Sequence, residues 1–332
     1  MYIQRSNLAL KIGHAPLIDS APLLVAQSEG YFDEFGVEVL LQEEVGWATV
    51  REKLIHWELN MASTLIGLPY AMHNGMGCYK TEMNVPLIIS ANGNTITLTS
   101  DVDPILLSSP AKVAEVLKKR AESAKRKWVF ATVNPYSSHL ILLSEWLNTY
   151  FRDYISEIEI VFLPPPLFPE LLEQGMIDGY CAGEPWGSSA EKLGIGNTVA
   201  NSLSLNANHP EKVLAVPTRT IRKYPKQVEA VGRAVLKACE RCSEESYLPK
   251  LINILENYEP LGLSATEIED ILKSRYKFGG EEATLHKFAG SGINQPSPAK
   301  EQWVIKGLKE AGLFRKKPIS VGQIMDSSLL FS

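Results

Sequence analysis

Short apolar segments alternate with segments of helical spacing along the first hundred residues. Short apolar runs favour buried strands, whereas apolar residues three and four positions apart favour one face of a helix. Such an alternation is typical of an α/β fold with a mostly parallel sheet. The predicted strands are Leu8–Ile12, Val37–Leu41, Met61–Ile66, Val85–Ser90 and Thr95–Thr99, and the predicted helices are Ala21–Phe35 and Thr49–Leu59.

A second series of alternating elements begins near residue 101, and a strand at Val213–Val216 could return the chain to the first series. Residues 243–332 are rich in helical patterns and have weaker strand signals. We therefore predict a discontinuous lobe I of residues 1–100 plus 200–332, with the C-terminal helices, and a lobe II of residues 101–199. The elements predicted for lobe II are the helices Ala111–Ala124, Ser137–Tyr150 and Leu167–Gln174 and the strands Trp128–Val133, Ile158–Leu163 and Ile177–Ala182.

Composition supports two globular lobes and argues against several classes of partner. The chain has 332 residues, of which 45% are hydrophobic and 21% charged, and at roughly 150 residues per domain two lobes are expected. The net charge is −5, and the basic cluster at 118–127 is better explained as a solvated helix face than as a nucleic-acid surface. No segment approaches the roughly 20 apolar residues of a membrane-spanning helix. The N-terminal residues lack a secretory pattern, which predicts a cytoplasmic protein, or a periplasmic one if a leader has been removed.

Four strand-to-helix junctions are candidate ligand contacts, because ligands of open α/β sheets bind beyond the carboxyl ends of the strands. His139 lies in a predicted first helical turn, where the helix dipole disfavours a cation unless an anion is bound. Helix capping explains the serines at 137 and 138 as well as ligand binding does. Trp47 could equally be a core residue, and a lysine such as Lys212 is ordinarily at the surface. The junctions are 44–47, 134–139, 164–166 and 183–186.

No catalytic constellation is evident. The chain has no Gly-x-Ser-x-Gly elbow and no His-Glu-x-x-His motif. The segment Gly75–Thr81 lacks the glycine that precedes the lysine of a phosphate-binding loop. The four cysteines are not spaced as zinc ligands. We therefore expect no enzymatic activity, no cofactor and no metal.

Several motifs, taken in order, resemble the nitrate- and bicarbonate-binding proteins of ABC uptake systems. The resemblance covers about residues 8 to 220 and implies a type II periplasmic-binding-protein fold, with an anion held in a cleft between two α/β lobes. It implies anion contacts from Trp47, Asn94, Ser138, His139 and Lys212, with Pro165 and Gly183 lining the pocket. Asn94 replaces the glutamine typical of the family, which leaves that contact less secure, whereas Ser138 keeps the hydroxyl of the usual threonine. The motifs are Gly13–Leu23, Gly46–Lys53, Asn92–Thr97, Pro164–Pro166, Gly183–Trp186 and His209–Lys212.

The resemblance implies a receptor for nitrate or nitrite, since bicarbonate-binding relatives are expected to lack a lysine at position 212 and to use calcium. Tyr136–His139 is more similar to the cytoplasmic nitrate/nitrite sensors of the family, which hold an RNA-binding antiterminator inactive until the anion arrives. A sensor with such a protein partner is therefore the first expectation. A transporter receptor that docks on an ABC permease is the second, and an enzyme like the pyrimidine-precursor synthases of thiamin synthesis is a remote third. The choice between nitrate and nitrite, and the oligomeric state, stay open.

Overall fold

The strands form two main sheets. The computed structural model describes residues 9–103, 105–106, 109–278, 281–312 and 324–331. Within these ranges, side chains are described for all residues except 275–283. Leu8, predicted to begin the first strand, lies outside these ranges. The strands are β1 Leu10–His14, β2 Val39–Glu43, β3 Met61–Leu65, β4 Met83–Asn92, β5 Asn94–Thr99, β6 Trp128–Thr132, β7 Ile158–Phe162, β8 Gly179–Gly183, β9 Gly196–Asn201, β10 Pro210–Pro217, β11 Arg275–Phe278, β12 Glu281–Thr284 and β13 His286–Lys287.

The helices cover both sheets and continue into the C-terminal part of the chain. They are α1 Ala21–Ser28, α2 Tyr31–Glu34, α3 Trp47–Ile55, α4 Leu68–Asn74, α5 Pro110–Ala124, α6 Ser138–Tyr150, α7 Phe168–Glu173, α8 Trp186–Leu193, α9 Ser202–Asn206, α10 Thr218–Lys223, α11 Pro225–Cys242, α12 Leu248–Glu256, α13 Ala265–Lys273, α14 Pro298–Glu310 and α15 Ser328–Phe331. Two differences from the prediction lie among these elements. The helix predicted over Ala21–Phe35 is two helices, because Gly30 adopts a left-handed conformation with φ 71° between them. Short strands β11 to β13 also interrupt the helix-rich C-terminal segment.

The first sheet has the order β13-β4-β10-β3-β1-β2, and the second has the order β7-β6-β8-β5-β9. The α/β fold class is confirmed, but the expectation of mostly parallel sheets is wrong. β10 runs antiparallel to β3 and β4, and β5 runs antiparallel to β8 and β9. β5 is the first strand after the chain passes to the second sheet, and β10 is the first strand after it returns. A strand that enters a sheet in this way is not joined to its neighbour by the crossover connection that makes the strands of a βαβ unit parallel.

Each sheet is covered by helices on both faces. In β10, Leu214 and Val216 pack in the cluster that contains α1, α11 and α12, whereas Val213 and Ala215 face the opposite side. This alternation follows the two-residue period of a strand. In the second sheet, α5 and α6 pack on one face and α7 and α8 on the other. Both sheets therefore form the central layer of an α/β/α sandwich.

The chain passes between the two sheets at two neighbouring points. β4 of the first sheet is separated from β5 of the second by Gly93 alone, which has φ 90°. On the return, the backbone N–H of Asn208 donates to Oδ1 of Asn92 over 2.7 Å, and the N–H of Asn92 donates to the carbonyl of His209 over 3.2 Å. The two crossings are thus tied together beside the first residue of β5. The predicted limits of the lobes at residues 100 and 200 stay a prediction.

Candidate functional site

Four of the seven residues expected to contact a ligand converge on the carboxylate of Glu211. The side-chain amide of Asn94 donates to Oε2 over 2.6 Å, the hydroxyl of Ser138 donates to the same oxygen, and Nζ of Lys212 donates to Oε1 over 2.8 Å. Nε2 of His139 lies 3.7 Å from Oε1. All five side chains are buried. The donors therefore form one enclosed cluster, which we call the Glu211 cluster.

The second sheet supplies three of these groups at the ends of its elements. Asn94 is the first residue of β5 and pairs with Gly183 at the end of β8. Ser138 and His139 form the first turn of α6, which follows β6. Ser137 caps this helix by accepting a hydrogen bond from the N–H of Leu140 over 3.2 Å, which leaves the Ser138 hydroxyl free for the cluster. The carboxyl ends of β6 and β8 and the N-terminus of α6 therefore define one wall of the site.

The first sheet supplies Lys212 and the groups around it. The Lys212 ammonium also donates to Oδ2 of Asp19 over 3.0 Å, and the Ser90 hydroxyl donates to Oδ1 of Asp19 over 2.6 Å. The same ammonium lies 5.6 Å from the centroid of the Trp47 ring, within range of a cation–π contact. Trp47 begins α3, two residues before the predicted start of this helix at Thr49. Lys212 is thus a buried cation held by two carboxylates and an indole ring.

The pairing of β10 with β4 is irregular where two consecutive residues of β10 reach the same site. Neighbouring residues in a regular strand point to opposite faces. The register of β10 against β4 shifts between Pro210 and Lys212, and it shifts again between Lys212 and Val213. Nζ of the long Lys212 side chain lies 2.8 Å from Oε1 of Glu211, so the two charged groups form a direct ion pair.

The protonation of the cluster follows from burial and from the ion pair. Burial by itself would raise the pKa of Glu211, but the charge of Lys212 lowers it well below its ordinary value. Burial by itself would lower the pKa of Lys212, and the carboxylates of Asp19 and Glu211 raise it instead. Burial lowers the pKa of His139 to about 4, so this imidazole is neutral at neutral pH. Lys212 and Glu211 are therefore both charged, and the histidine can donate only one N–H.

Three buried polar atoms around the cluster have no hydrogen-bond partner within the described part of the chain. They are Nδ1 of His139, Nε2 of His209 and Oδ1 of Asn94. Such atoms are costly in a protein interior unless a ligand or water satisfies them. The site thus keeps hydrogen-bonding capacity that the protein itself does not use.

Gly183 and Pro165, which were expected to line the pocket, differ in their position relative to the Glu211 cluster. A Cβ atom added at Gly183 would lie 3.5 Å from Oδ1 of Asn94 and 3.8 Å from Nε2 of His139, so the backbone at Gly183 lies against the cluster. Pro165 begins a short 3₁₀ turn after β7. Among the described residues, no hydrogen bond or ring contact joins Pro165 to the cluster. The roles of Gly183 and Pro165 stay predictions.

The sequence interpretation missed Glu211 and Asp19 as members of the site. Glu211 lies in the motif His209–Lys212, but a carboxylate is an acceptor, whereas an anion site needs donors and positive charge. Asp19 lies within the motif Gly13–Leu23, and a carboxylate in an otherwise apolar segment is a usable signal. Within the described ranges, no group of three or more histidine, cysteine, aspartate or glutamate side chains is placed to hold a metal ion. None of the helices in those ranges has the length and hydropathy needed to cross a membrane.

The comparisons with known proteins agree with this architecture. The profile of the NMT1-like family matches residues 4–256. The chain is 33% identical over 315 residues to the nitrate import ATP-binding protein NrtC of Synechocystis sp. (strain PCC 6803), a match that covers 92% of the chain and 46% of NrtC. It is 31% identical over 305 residues to the bicarbonate transport ATP-binding protein CmpC of Synechococcus elongatus, covering 91% of the chain and 45% of CmpC. The chain thus spans about half the length of these two relatives.

A solved structure with the same fold is the periplasmic nitrate-binding protein NrtA from Synechocystis PCC 6803. It superposes with a TM-score of 0.81 at 21% sequence identity, covering 93% of this chain and 83% of NrtA. At this identity the likeness shows the fold. The predicted periplasmic-binding-protein fold, with its two α/β units, is therefore confirmed.

Proposed function

Because this chain belongs to the NMT1-like family, we propose that it is a non-catalytic receptor that binds nitrate or nitrite between its two lobes. The observation that carries the proposal is the convergence of donors from both sheets on a single planar carboxylate, that of Glu211. Asn94 and Ser138 reach this point from the second sheet, and Lys212 reaches it from the first. A site that already holds one planar monoanion in this way has the donor set that a small oxyanion needs.

Trp47 and His139 extend the donor set. A planar anion close to the Lys212 ammonium could accept a hydrogen bond from the indole N–H of Trp47 and one from His139. Hydrogen bonds to charged groups contribute roughly 1.5–3 kcal/mol each. Three or four of them, after the costs of association, correspond to an affinity in about the micromolar range.

The binding test is isothermal titration calorimetry with nitrate, nitrite, bicarbonate and sulfate. We expect Ser138→Ala to weaken nitrate binding by about 10- to 100-fold, because one hydrogen bond to the anion is lost. Ser144→Ala is the matched control, since Ser144 lies on the same helix and makes no contact with the Glu211 cluster. Equal nitrate affinities of the two variants would remove Ser138 from the site. Failure of the unmodified protein to bind any of the four anions would contradict the proposed function.

Bicarbonate is a second candidate ligand, and the position of Glu211 favours it. Nitrate carries no proton, whereas bicarbonate has one that a carboxylate can accept. The similarity to CmpC, whose name states bicarbonate transport, is consistent with this alternative. Lys212 favours nitrate, because it supplies a full positive charge to an anion that cannot donate a hydrogen bond. The calorimetric comparison separates the two ligands directly.

We propose further that anion binding changes the affinity of this protein for a regulatory protein in the cytoplasm. Support comes from the similarity of Tyr136–His139 to the sensor branch of the family. An anion that bridges two lobes is a natural conformational switch. The ligand-free protein should bind an RNA-binding antiterminator and release it when nitrate is added. Persistence of that complex at saturating nitrate and nitrite would favour the alternative, a receptor component that delivers the anion to an ABC permease.

A further inference from the structure

We propose that Glu211 is a resident anion of the binding site, and that nitrate binds only together with one proton, which is taken up by this carboxylate. The inference rests on the proposed function, because it concerns how the same site accepts its ligand. In this proposal the site can bind an oxyanion without a proton, such as nitrate, only after the Glu211 carboxylate has taken up a proton.

The geometry shows that the donors of the site are already engaged. Asn94 and Ser138 both donate to Oε2 of Glu211, and Lys212 donates to Oε1. A carboxylate and a nitrate ion share a planar arrangement of oxygens and a single negative charge. Both therefore compete for the same donors, and nitrate cannot use them while the Glu211 carboxylate holds them.

The charges around Glu211 make the simultaneous presence of both anions unfavourable. The site contains one ammonium and two carboxylates, those of Asp19 and Glu211. Burial lowers the pKa of each of the three nearby histidines and raises that of the Cys181 thiol, so these groups are neutral near pH 7. The titratable or charged groups that face Glu211 are Lys212 on β10, Asp19 before α1, His139 on α6, His209 before β10, Cys181 on β8 and His286 on β13.

The site therefore has an excess of one negative charge before any ligand enters. A bound nitrate would increase this excess among buried side chains, where unpaired charge is strongly disfavoured. Uptake of one proton returns the net charge of the site to its value before nitrate enters. The proton comes from the solvent, it binds an oxygen of Glu211, and the resulting carboxyl O–H can donate to the nitrate.

Glu211 is the natural acceptor of this proton. Nitrate takes the donors Asn94 and Ser138, whose hydrogen bonds favour the charged carboxylate. It also shares Lys212, whose charge lowers the pKa of Glu211, and so weakens that interaction. Burial, which raises the pKa of a carboxyl group, then dominates. The alternative acceptor is His139, whose Nδ1 lies buried without a hydrogen-bond partner among the described residues. The two acceptors are distinguished by removing the charge of Glu211 alone.

The experiment is calorimetric titration with nitrate between about pH 6 and pH 8.5, in pairs of buffers that differ in ionisation enthalpy. For the unmodified protein we expect uptake of one proton and an affinity that falls by about tenfold for each unit of increase in pH. We expect Glu211→Gln to bind nitrate at pH 8 at least about tenfold more tightly than the unmodified protein, without proton uptake and with little dependence on pH. The control is Asp178→Asn, because Asp178 is also buried and paired with a cation, Arg126 at 2.5 Å, and precedes β8 at the end opposite Gly183.

The outcomes separate this inference from the proposed function. If the unmodified protein binds no oxyanion at any pH, the proposed function itself fails. If it binds nitrate without proton uptake, the proposed function stands and the role of Glu211 is contradicted. If Glu211→Gln retains the pH dependence, His139 takes the proton and the inference is likewise overturned. If circular dichroism shows that Glu211→Gln does not fold, the number of protons that the unmodified protein takes up on binding nitrate still tests the inference.

Discussion

Lys212 is the residue whose loss should affect stability most strongly at the site. Lys212→Met leaves Asp19 and Glu211 buried without their cation, and removing one partner of a buried ion pair costs about 3–5 kcal/mol. The Glu211 pKa is lowered in the folded protein, so the stabilisation from this pair is present at neutral pH and is lost as pH falls through that pKa. In the variant the unpaired carboxyl groups protonate more readily. The difference in unfolding free energy between the two proteins should therefore shrink from pH 7 to pH 5.

Urea unfolding at both pH values measures this effect. Lys192→Met is the control, because Lys192 forms an exposed ion pair with Glu267 and should change the unfolding free energy little. The double variant Lys212→Met with Glu211→Gln should recover part of the lost stability, since one uncompensated charge is removed. A loss of stability at Lys212 no larger than that at Lys192 would mean that the buried pair contributes little.

The sequence predicted Asn94, Ser138, His139 and Lys212 as neighbours only through the family resemblance. From residue type alone, a lysine before a strand is ordinarily at the surface, and Glu211 next to it would be expected on the opposite face. Both expectations fail, because the Lys212 ammonium is buried between the carboxylates of Asp19 and Glu211. The irregular register of β10 at this point is set against β4, a strand more than a hundred residues earlier in the chain. Local patterns cannot reveal such a pairing.

At the scale of elements, the N-terminus of α6 orients two site residues. Ser137 accepts a hydrogen bond from Leu140 N–H and donates one to the carbonyl of Asn134 over 2.7 Å. We expect Ser137→Ala to lower the unfolding free energy by about 1 kcal/mol, as for other N-cap substitutions. Nitrate affinity should fall as well, because the first turn that holds Ser138 and His139 becomes less ordered.

The matched control is Ser264→Ala, which removes the N-cap of α13 in a capping box with Glu267. This helix contributes nothing to the Glu211 cluster, so the variant should lose stability and keep its nitrate affinity. Chemical unfolding and calorimetry on both variants give the comparison. If the Ser137 variant keeps full affinity, the orientation of α6 does not depend on its cap.

The positions of strands and helices followed well from local patterns, but the directions of the strands did not. β6 and its parallel neighbours β7 and β8 belong to the regular βαβα order and match the prediction. β5 and β10 were correctly predicted as strands, yet both pair antiparallel within their sheets. Hydrophobic periodicity determines which face of a strand is buried. It carries no information on which neighbour the strand pairs with after the chain has passed to another sheet.

At the scale of the whole molecule, Glu211 connects the two sheets without any bound anion. Its backbone belongs to β10 in the first sheet, and its carboxylate accepts hydrogen bonds from Asn94 and Ser138 of the second. The chain itself also connects the two sheets, at the two crossings at Gly93 and Asn208. The contacts of Glu211 therefore hold together the two sides of the site that a nitrate ion would otherwise join.

This arrangement predicts how the shape of the protein responds to nitrate. In the unmodified protein nitrate replaces one bridge by another, so the closure that acts as the switch should decrease the radius of gyration less than in a variant that lacks the Glu211 bridge. Glu211→Ala removes the internal bridge and leaves Lys212 without one of its two carboxylates, so the two lobes should separate on average in the absence of nitrate. Adding nitrate should then reduce the radius of gyration of the variant to that of the unmodified protein. Small-angle X-ray scattering with and without nitrate measures both changes, with Glu44→Ala as the control for loss of a buried carboxylate. A large decrease in the unmodified protein itself would show that its lobes are already apart, and that the contacts of Glu211 with the second sheet are too weak to act as a bridge.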